Sequence, residues 1–577
     1  MNPSDDLAGL NDQAPGGGAV GGTLGAAGTS NVNPPPPEVE ADDTFTAPVV
    51  SGRWIWTANP LSGKVALIDA TTLRVSTADA GLGPTYVAGL GANSDEDSAA
   101  IVLNVGNDTA SVLHAKNGVI AVETVKVHHG ANRMTVSESG RWALVWSDAA
   151  LVTNPDPTDG LQDVTVVDLT SSPPAPYPLS VGYRPSRVSI GQGEEHAYFV
   201  TEPGISVIDL PAADPPSVAR DIAVTADPTE AASVRDVTVT PDGAFALVRR
   251  ENQSSVNVVS LTGGASVSVT LPGPVTDLDL SPQGDVAYAV VRATAFSATA
   301  GELGAGGQAG DTGAGLGGEA GAAGGAPSAG GAPNGAAGAP DGTAGVSEAG
   351  SGGTGGAPGL AQSFVASLVL DDIVKDPTAF AALAVSDVVG SIAIAPSGDR
   401  AVLFTTATDS DHLVILDTKA FAVVRTVVVQ APVQTVFPAP DGQTAVALLR
   451  QSSGSQKAGG FSLVPLVNKL PPKLVGTDAP PQSVAVGEHA ALVTVEGKNP
   501  TTQANVHAVY LASLPGFGTE KITLASPPLS AALIPDVGQG VVAQSHPEGR
   551  ITFVDLESGQ PRTITGFELS SRVIQDD

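Results

Sequence analysis

A strand–turn–strand unit recurs along this sequence of 577 residues, and the recurrence constrains the fold more than any other feature. Well-preserved copies are VRDVTVTPDGAFALVRR at 234–250, VTDLDLSPQGDVAYAVVR at 275–292 and VGSIAIAPSGDRAVLFTT at 389–406. Alternating apolar and polar residues are typical of half-buried strands, and proline followed by glycine in the connecting segment is typical of a tight turn. Further short apolar runs, such as VTVVDLT at 164–170 and LVILDTK at 413–419, accompany these copies.

The number and length of the units predict the architecture. About ten units of about 46 residues each follow residue 46 once a glycine-rich segment is set aside. That length suits a four-stranded blade of a β-propeller, and closing such blades into a ring protects their strand edges. We therefore predict an all-β fold, a large β-propeller of about ten four-stranded blades. Seven or eight blades, or two smaller propellers in tandem, are the alternatives.

Two segments have compositions typical of disorder. Residues 1–45 carry seven acidic residues and no Lys or Arg, and they end near four consecutive prolines. Residues 296–361 are rich in Gly and Ala without the strict third-position repeat of collagen. Both have too little apolar surface to offset the chain entropy lost on folding. We predict a disordered tether at 1–45, a β-propeller at 46–577, and a disordered insert at 296–361 within one blade.

The repeat resembles the YVTN-type propeller repeat of bacterial surface and lactonase-like proteins. The resemblance rests on the pattern P-x-x-V-x-V-x-PDG-x-x-A-L-V, and WIWTANPLSGKVALIDATTLRV at 54–75 is the best match. It implies that each unit begins with the innermost strand, such as 235–240, and that the insert lies between the second and third strands of its blade. We also expect the C-terminal segment 563–577 to add a strand to the first blade and so to favour a single ring.

The composition excludes several functions. The formal charge is -32, so nucleic acid and anionic membrane surfaces are poor partners. The chain has no cysteine, which rules out disulfides, thiolate metal sites and a cysteine nucleophile. No apolar run is long enough for a membrane-spanning helix. We therefore predict no nucleic-acid partner and no membrane span. The chain also shows no recognisable motif for a cofactor or a metal.

Candidate site residues emerge when the inner strands are aligned on their apolar positions. The residue before the first apolar position is, in chain order, Tyr86, Arg133, Arg187, Asp236, Asp277, Ser391, Thr435, Ser483 and Ala531. Four consecutive units thus carry Arg133, Arg187, Asp236 and Asp277, with Asp279 two residues further along the same strand face. These side chains predict a polar pocket at the channel rim for a zwitterionic or sugar-like ligand. The alternative is a set of mutually compensating charges in a wet channel.

Other acidic positions have simpler interpretations. The third strand of several units ends in aspartate, as at Asp69, Asp168, Asp209, Asp417 and Asp555. Aspartate at such a place commonly accepts hydrogen bonds from its own turn, and we predict that role here. The acidic segments 93–98 and 154–163 lack the ligand spacing of a calcium loop, so we interpret them as solvated loops.

These observations favour a non-catalytic binding or scaffold protein of the bacterial cell envelope, with a protein or glycan partner at a propeller rim. A lactonase-like or lyase-like enzyme and a surface-layer structural component are the alternatives. The sequence shows no signal peptide at its start. The acidic Gly/Pro-rich tether nevertheless leads us to expect an extracytoplasmic protein whose signal, or a lipid anchor on an upstream cysteine, precedes the given sequence.

Overall fold

Ten antiparallel sheets make up the computed structural model, which describes residues 48–60, 62–90, 97–152, 160–227, 230–292, 363–452, 455–514, 516–566 and 574–576. Each sheet is one blade, numbered here in chain order, and strands follow in chain order within each blade. Blades 1 to 3 contain β1 Val49–Ser51, β2 Trp54–Asn59, β3 Lys64–Asp69, β4 Val75–Asp79, β5 Pro84–Gly89, β6 Asp97–Asn104, β7 Thr109–Lys116, β8 Val119–Lys126, β9 Arg133–Val136, β10 Trp142–Trp146, β11 Asp163–Asp168 and β12 Ala175–Ser180.

The remaining blades repeat the pattern. Blades 4 to 6 contain β13 Arg187–Ile190, β14 His196–Val200, β15 Gly204–Asp209, β16 Ser217–Ala223, β17 Arg235–Val239, β18 Phe245–Arg250, β19 Ser255–Ser260, β20 Ser266–Thr270, β21 Val275–Leu280, β22 Val286–Arg292, β23 Ser363–Val369 and β24 Ala381–Val385. Blades 7 and 8 contain β25 Ser391–Ile394, β26 Arg400–Phe404, β27 His412–Asp417, β28 Ala422–Val428, β29 Val433–Pro438, β30 Thr444–Leu449, β31 Gly459–Pro465 and β32 Lys473–Thr477.

Blade 9 contains β33 Pro481–Val486, β34 Ala490–Lys498, β35 Asn505–Ser513 and β36 Thr519–Thr523. Blade 10 contains β37 Pro528–Ile534, β38 Gln539–Gln544, β39 Arg550–Asp555, β40 Pro561–Thr565 and β41 Ile574–Asp576. Within the described residues, helix is limited to α1 Leu370–Ile373 and to three short 3-10 turns at Ala149–Leu151, Ala232–Val234 and Pro535–Val537. None of these helices is long or apolar enough to cross a membrane.

The ten blades form one closed ring. Each neighbouring pair of blades encloses a cluster of buried apolar side chains, as Phe461 of blade 8 and Tyr510 of blade 9 illustrate with ring centroids 5.6 Å apart. The last blade packs on the first in the same way, because Phe553 shares a cluster with Ile55 and Ile68. The prediction of ten four-stranded blades in a single propeller is therefore confirmed.

The expected strand exchange at the ring closure is wrong. β40 is the fourth strand of blade 10, and β41 pairs with β40, with Thr565 opposite Ile574. Blade 1 obtains all four of its strands from residues 49–79. The physical reason is that the first blade already has its own inner strand, β1, so it has no vacant edge for a C-terminal strand to fill. Among the described residues, the ring closes without strand exchange, and buried apolar side chains pack across the joint.

The four-strand order within each blade fixes two faces of the ring. The connections between blades and the turns between second and third strands lie on one face, which we call the crossover face. The turns between first and second and between third and fourth strands lie on the opposite, hairpin face. Arg292 at the end of β22 pairs with Ser363 at the start of β23. The predicted insert thus begins and ends on the crossover face between the second and third strands, while residues 1–45 and 296–361 themselves lie outside the described residues.

As predicted, four of the five aspartates that end third strands accept hydrogen bonds from backbone groups of their own turns. Oδ1 of Asp69, Asp168, Asp417 and Asp555 accepts hydrogen bonds from backbone N–H groups two or three residues further on, at 2.7 to 3.2 Å. Asp209 instead lies 2.9 Å from Nδ1 of His196, its partner on the neighbouring strand. These carboxylates are engaged in local structure, and the structure gives them no shared site.

Candidate functional site

Successive side chains of each inner strand point alternately towards the preceding blade and towards the following blade. Val237 of β17 packs between blades 4 and 5, and Leu278 of β21 packs between blades 5 and 6. The residue before each of them therefore faces the following blade, because successive side chains of a strand point to opposite faces of its sheet. Arg187, Asp236 and Asp277 occupy this forward-facing position in blades 4, 5 and 6.

Asp236 lies between two arginines. Nη1 of Arg187 is 3.7 Å from Oδ1 of Asp236, and Nη2 of Arg249 is 4.0 Å from its Oδ2. Each guanidinium also holds a backbone carbonyl: Arg187 donates to that of Val237, and Arg249 donates to that of Thr276 in the next blade at 2.9 Å. The side chain of Arg187 is 56% exposed and that of Asp236 is 43% exposed. The group is thus held in place and accessible from solvent.

Asp277 has a structural task. Its Oδ1 accepts the backbone N–H of Leu278 at 2.7 Å, and its Oδ2 accepts that of Ile392 in blade 7 at 2.8 Å. The neighbouring Thr276 hydroxyl donates to the carbonyl of Gly390 at 2.6 Å. Asp277 is buried, and it ties the inner strand of blade 6 to that of blade 7.

Asp279 differs from its neighbours because its carboxyl has neither a hydrogen bond nor an ion pair among the described residues. It follows Asp277 by two positions on β21 and shares its face of the strand. Burial raises the pKa of Asp279 to about 7, with further contributions from the negative charges of Asp277 and Asp236. The carboxyl of Asp279 is therefore about half protonated at neutral pH, and the carboxyl of Asp277 lies on the same face of the strand. We call Arg187, Asp236, Arg249 and Asp279 the channel-wall cluster.

Arg133, the fourth predicted rim residue, makes other contacts. Its Nε is 3.6 Å from Oδ2 of Asp148 in the same blade. Its guanidinium carbon lies 5.7 Å from the ring centroid of Tyr86 in blade 2, within cation–π range. The structure thus brings Arg187, Asp236 and Asp277 to consecutive inner strands and gives Arg133 partners on blades 2 and 3.

A network on the crossover face supports the channel-wall cluster. Glu230 lies in the connection between blades 4 and 5. Its carboxylate accepts hydrogen bonds from Nε and Nη2 of Arg250 and, at 3.2 Å, from Nη1 of Arg235. Arg235 is 2% exposed, precedes Asp236 directly and also donates to the carbonyl of Glu202. The two arginines lower the pKa of Glu230 to about 2. The network fixes the first residue of the strand that carries Asp236.

We expect Glu230→Gln to destabilise the fold at pH 7 by about 2 kcal/mol, because it leaves the buried Arg235 without its anionic partner. The folded-state pKa of Glu230 lies below its ordinary value of 4.5. Its stabilising contribution is therefore complete above pH 4.5 and is lost as the pH falls towards 2. Urea unfolding of wild type, Glu230→Gln and the exposed control Glu195→Gln at pH 7 and pH 3.5 tests this. A difference that is unchanged between the two pH values contradicts it.

Sequence reasoning missed the role of Arg249, although a signal was available. In a hairpin, positions equidistant from the turn lie opposite each other, and the PDG turn at 241–243 places residue 236 opposite residue 249. Counting outwards from the turn would therefore have found the pair. Asp279 was noticed only as a neighbour of Asp277, because burial and the nearby carboxylates that set its pKa are tertiary features.

The acidic segments considered for calcium give no site. Residues 93–96 and 154–159 fall outside the described residues. Among the residues that the structure does describe, no three His, Cys, Asp or Glu side chains group as metal ligands would.

No protein-family model matches the chain, and no curated protein matches it in sequence. Solved structures match at 8 to 12% identity. Hydrazine synthase from Kuenenia stuttgartiensis covers 59% of this chain and 94% of its own at 12% identity and a TM-score of 0.30. Dihydro-heme d1 dehydrogenase NirN in complex with DHE covers 80% and 71% at 10% identity and a TM-score of 0.39.

A eukaryotic initiation factor covers 82% of this chain and 97% of its own at 8% identity and a TM-score of 0.45. These likenesses concern the fold alone, because one propeller shape carries many unrelated functions. The ten-bladed β-propeller is shown by the sheets of the structure itself, and the YVTN-type resemblance stays a prediction.

Proposed function

We propose that this protein is a non-catalytic binding protein that holds a small zwitterionic or amino-sugar-like ligand at the channel-wall cluster. One observation carries the proposal: the carboxyl of Asp279, on the inner strand of blade 6, has no hydrogen bond or ion pair among the described residues, and the accessible Arg187–Asp236 pair joins the inner strands of the two preceding blades. A carboxyl with a pKa of about 7 and no partner in the described part of the chain suits a cationic group, whose charge favours the ionised form of the carboxyl. Arg187 and Arg249 supply donors for an anionic group or for hydroxyls.

The rigid ring supports this role. Asp277 and Arg249 connect the inner strands of consecutive blades through hydrogen bonds of 2.8 and 2.9 Å, so the wall that carries Asp279 is braced on both sides. Preformed donors and acceptors reduce the ordering that binding requires. The cell envelope is the compartment that we propose, on the basis of the YVTN-type resemblance and the acidic Gly/Pro-rich segment at 1–45.

We expect the affinity for a cationic ligand to rise about tenfold from pH 6 to pH 8, as Asp279 ionises through a pKa of about 7. A calorimetric screen of amino acids and amino sugars at pH 8 identifies a ligand. An amino-acid hit whose ammonium stays charged over this range is then titrated against the wild type at both pH values.

The variants locate the site. Asp279→Asn removes the pH dependence, and Arg187→Ala weakens binding, whereas the exposed control Arg74→Ala leaves it unchanged. Equal affinity of Arg187→Ala, Asp279→Asn and wild type removes the channel-wall cluster from consideration. Turnover of any hit favours the lactonase-like or lyase-like alternative, because a carboxyl with a pKa raised to about 7 also suits acid–base catalysis.

A further inference from the structure

A cavity of about 1120 Å³ opens on the hairpin face at blades 8 to 10, on the face opposite the blade connections. Its wall consists of the C-terminal halves of the inner strands β33 and β37 and the turns that follow them. The apolar members of this wall are Val484, Ala485, Val486, Ala531, Leu533, Val537 and Leu556. Cavities of this kind, apolar with a few polar groups, are the usual small-molecule sites of proteins.

The apolar wall follows from the inner-strand pattern. The forward-facing position that carries Arg187, Asp236 and Asp277 in blades 4 to 6 carries Ser483 in blade 9 and Ala531 in blade 10. Ser483 is buried, and its hydroxyl is engaged with that of Thr494 at 2.7 Å. This part of the channel therefore lacks the charges that line blades 4 to 6.

The rim of the cavity is acidic. Glu488 lies in the first turn of blade 9, and Asp555 and Glu557 lie in the last turn of blade 10. Asp555 is occupied by its own turn, where it accepts from Ser558 at 2.7 Å. The carboxylates of Glu488 and Glu557 are exposed and have no hydrogen bond or ion pair among the described residues. No Lys or Arg belongs to the described lining, and His489 is its one basic side chain.

We infer that this cavity is a second binding site, for a small molecule with an apolar body and an ammonium group. The apolar wall takes the body, and the two unpaired glutamates at the rim take the cation. An anionic ligand of the same shape is disfavoured because the rim would repel it. The inference is independent of the proposed ligand at blades 4 to 6, because none of the residues involved is shared.

Tryptamine, its uncharged alcohol analogue tryptophol and the anion indole-3-propionate serve as matched probes. We expect calorimetry at pH 7 and low salt to show tryptamine binding at least tenfold more tightly than tryptophol, with no binding of the anion. The double variant Glu488→Gln/Glu557→Gln lowers the affinity for tryptamine about tenfold and leaves that for tryptophol unchanged. Ala485→Leu, which adds volume at the wall, weakens both.

Glu138→Gln is the control, because Glu138 is an exposed glutamate on the same face of the ring, in blade 3. It leaves the affinities of all probes unchanged. Equal binding of tryptamine and indole-3-propionate, a double variant that matches the wild type, or the absence of binding by every probe would each overturn the inference. Circular dichroism of the glutamine variants confirms that the ring is intact, since both positions are exposed.

Discussion

Replacing Asp279 with asparagine is expected to stabilise the protein at pH 8 by about 2–3 kcal/mol and to change its stability little at pH 4. Asp279 has an ordinary pKa of 3.8 and a folded-state pKa of about 7. The folded protein therefore binds more protons than the unfolded chain between these values. Its free energy of unfolding falls as the pH rises through that window, and the full loss is present above pH 7.

The magnitude follows from the same shift. One pKa unit corresponds to about 1.4 kcal/mol. The rise of the Asp279 pKa from 3.8 to about 7 therefore limits the change in the free energy of unfolding to roughly 4 kcal/mol. Asp277 and Asp236 contribute to the shift, and the partial solvent exposure of Asp279 reduces the net effect. Asparagine keeps the shape of the side chain and removes the charge. Its amide N–H groups can also donate hydrogen bonds to the neighbouring carboxylates.

Urea unfolding at pH 4, 6 and 8 measures the effect. The wild type loses stability relative to Asp279→Asn as the pH rises, whereas the control Asp371→Asn, an exposed acid of the same blade, follows the wild-type curve. Parallel curves for Asp279→Asn and wild type would show that Asp279 ionises normally. Gain of stability together with loss of ligand binding is the expected signature of a residue retained for function.

The fold followed from the sequence because each blade is encoded locally. The alternation in β17 and β18, and the PDG turn between them, specify one hairpin, and the same signals recur around the ring. Stacking such units then buries a continuous core between neighbours. Ring closure was harder to predict. The sequence at 563–577 is typical of a strand, but nothing in it indicates whether that strand pairs with the first blade or with the last.

The candidate site was predictable only in part. Position along the inner strand placed Arg187, Asp236 and Asp277 on the forward-facing side of β13, β17 and β21, because side-chain direction in a strand follows from sequence spacing. Asp277 links blades 6 and 7 by accepting a hydrogen bond from the N–H of Ile392, which lies 115 residues away in the chain. Contacts of this kind depend on the neighbouring blade, and the charges of a single repeat do not reveal them.

We expect Phe553→Ala, at the closure of the ring, to reduce the free energy of unfolding by about 3–5 kcal/mol. Phe553 is 1% exposed in the cluster that joins blade 10 to blade 1. No strand is exchanged between these blades within the described residues, and Phe553 packs with Ile55 and Ile68 across the joint. Elsewhere the covalent connection between consecutive blades holds them together when packing is weakened.

Phe461→Ala is the matched control, since Phe461 is equally buried but joins blades 8 and 9, which are consecutive in the chain. Both variants lower the denaturation midpoint. Hydrogen–deuterium exchange distinguishes them: Phe553→Ala opens blades 1 and 10 below the global unfolding transition, whereas Phe461→Ala leaves those two blades protected until the whole ring unfolds. Uniform loss of protection around the ring in Phe553→Ala would mean that the ten blades unfold as one unit and that the closure is no weaker than any other joint.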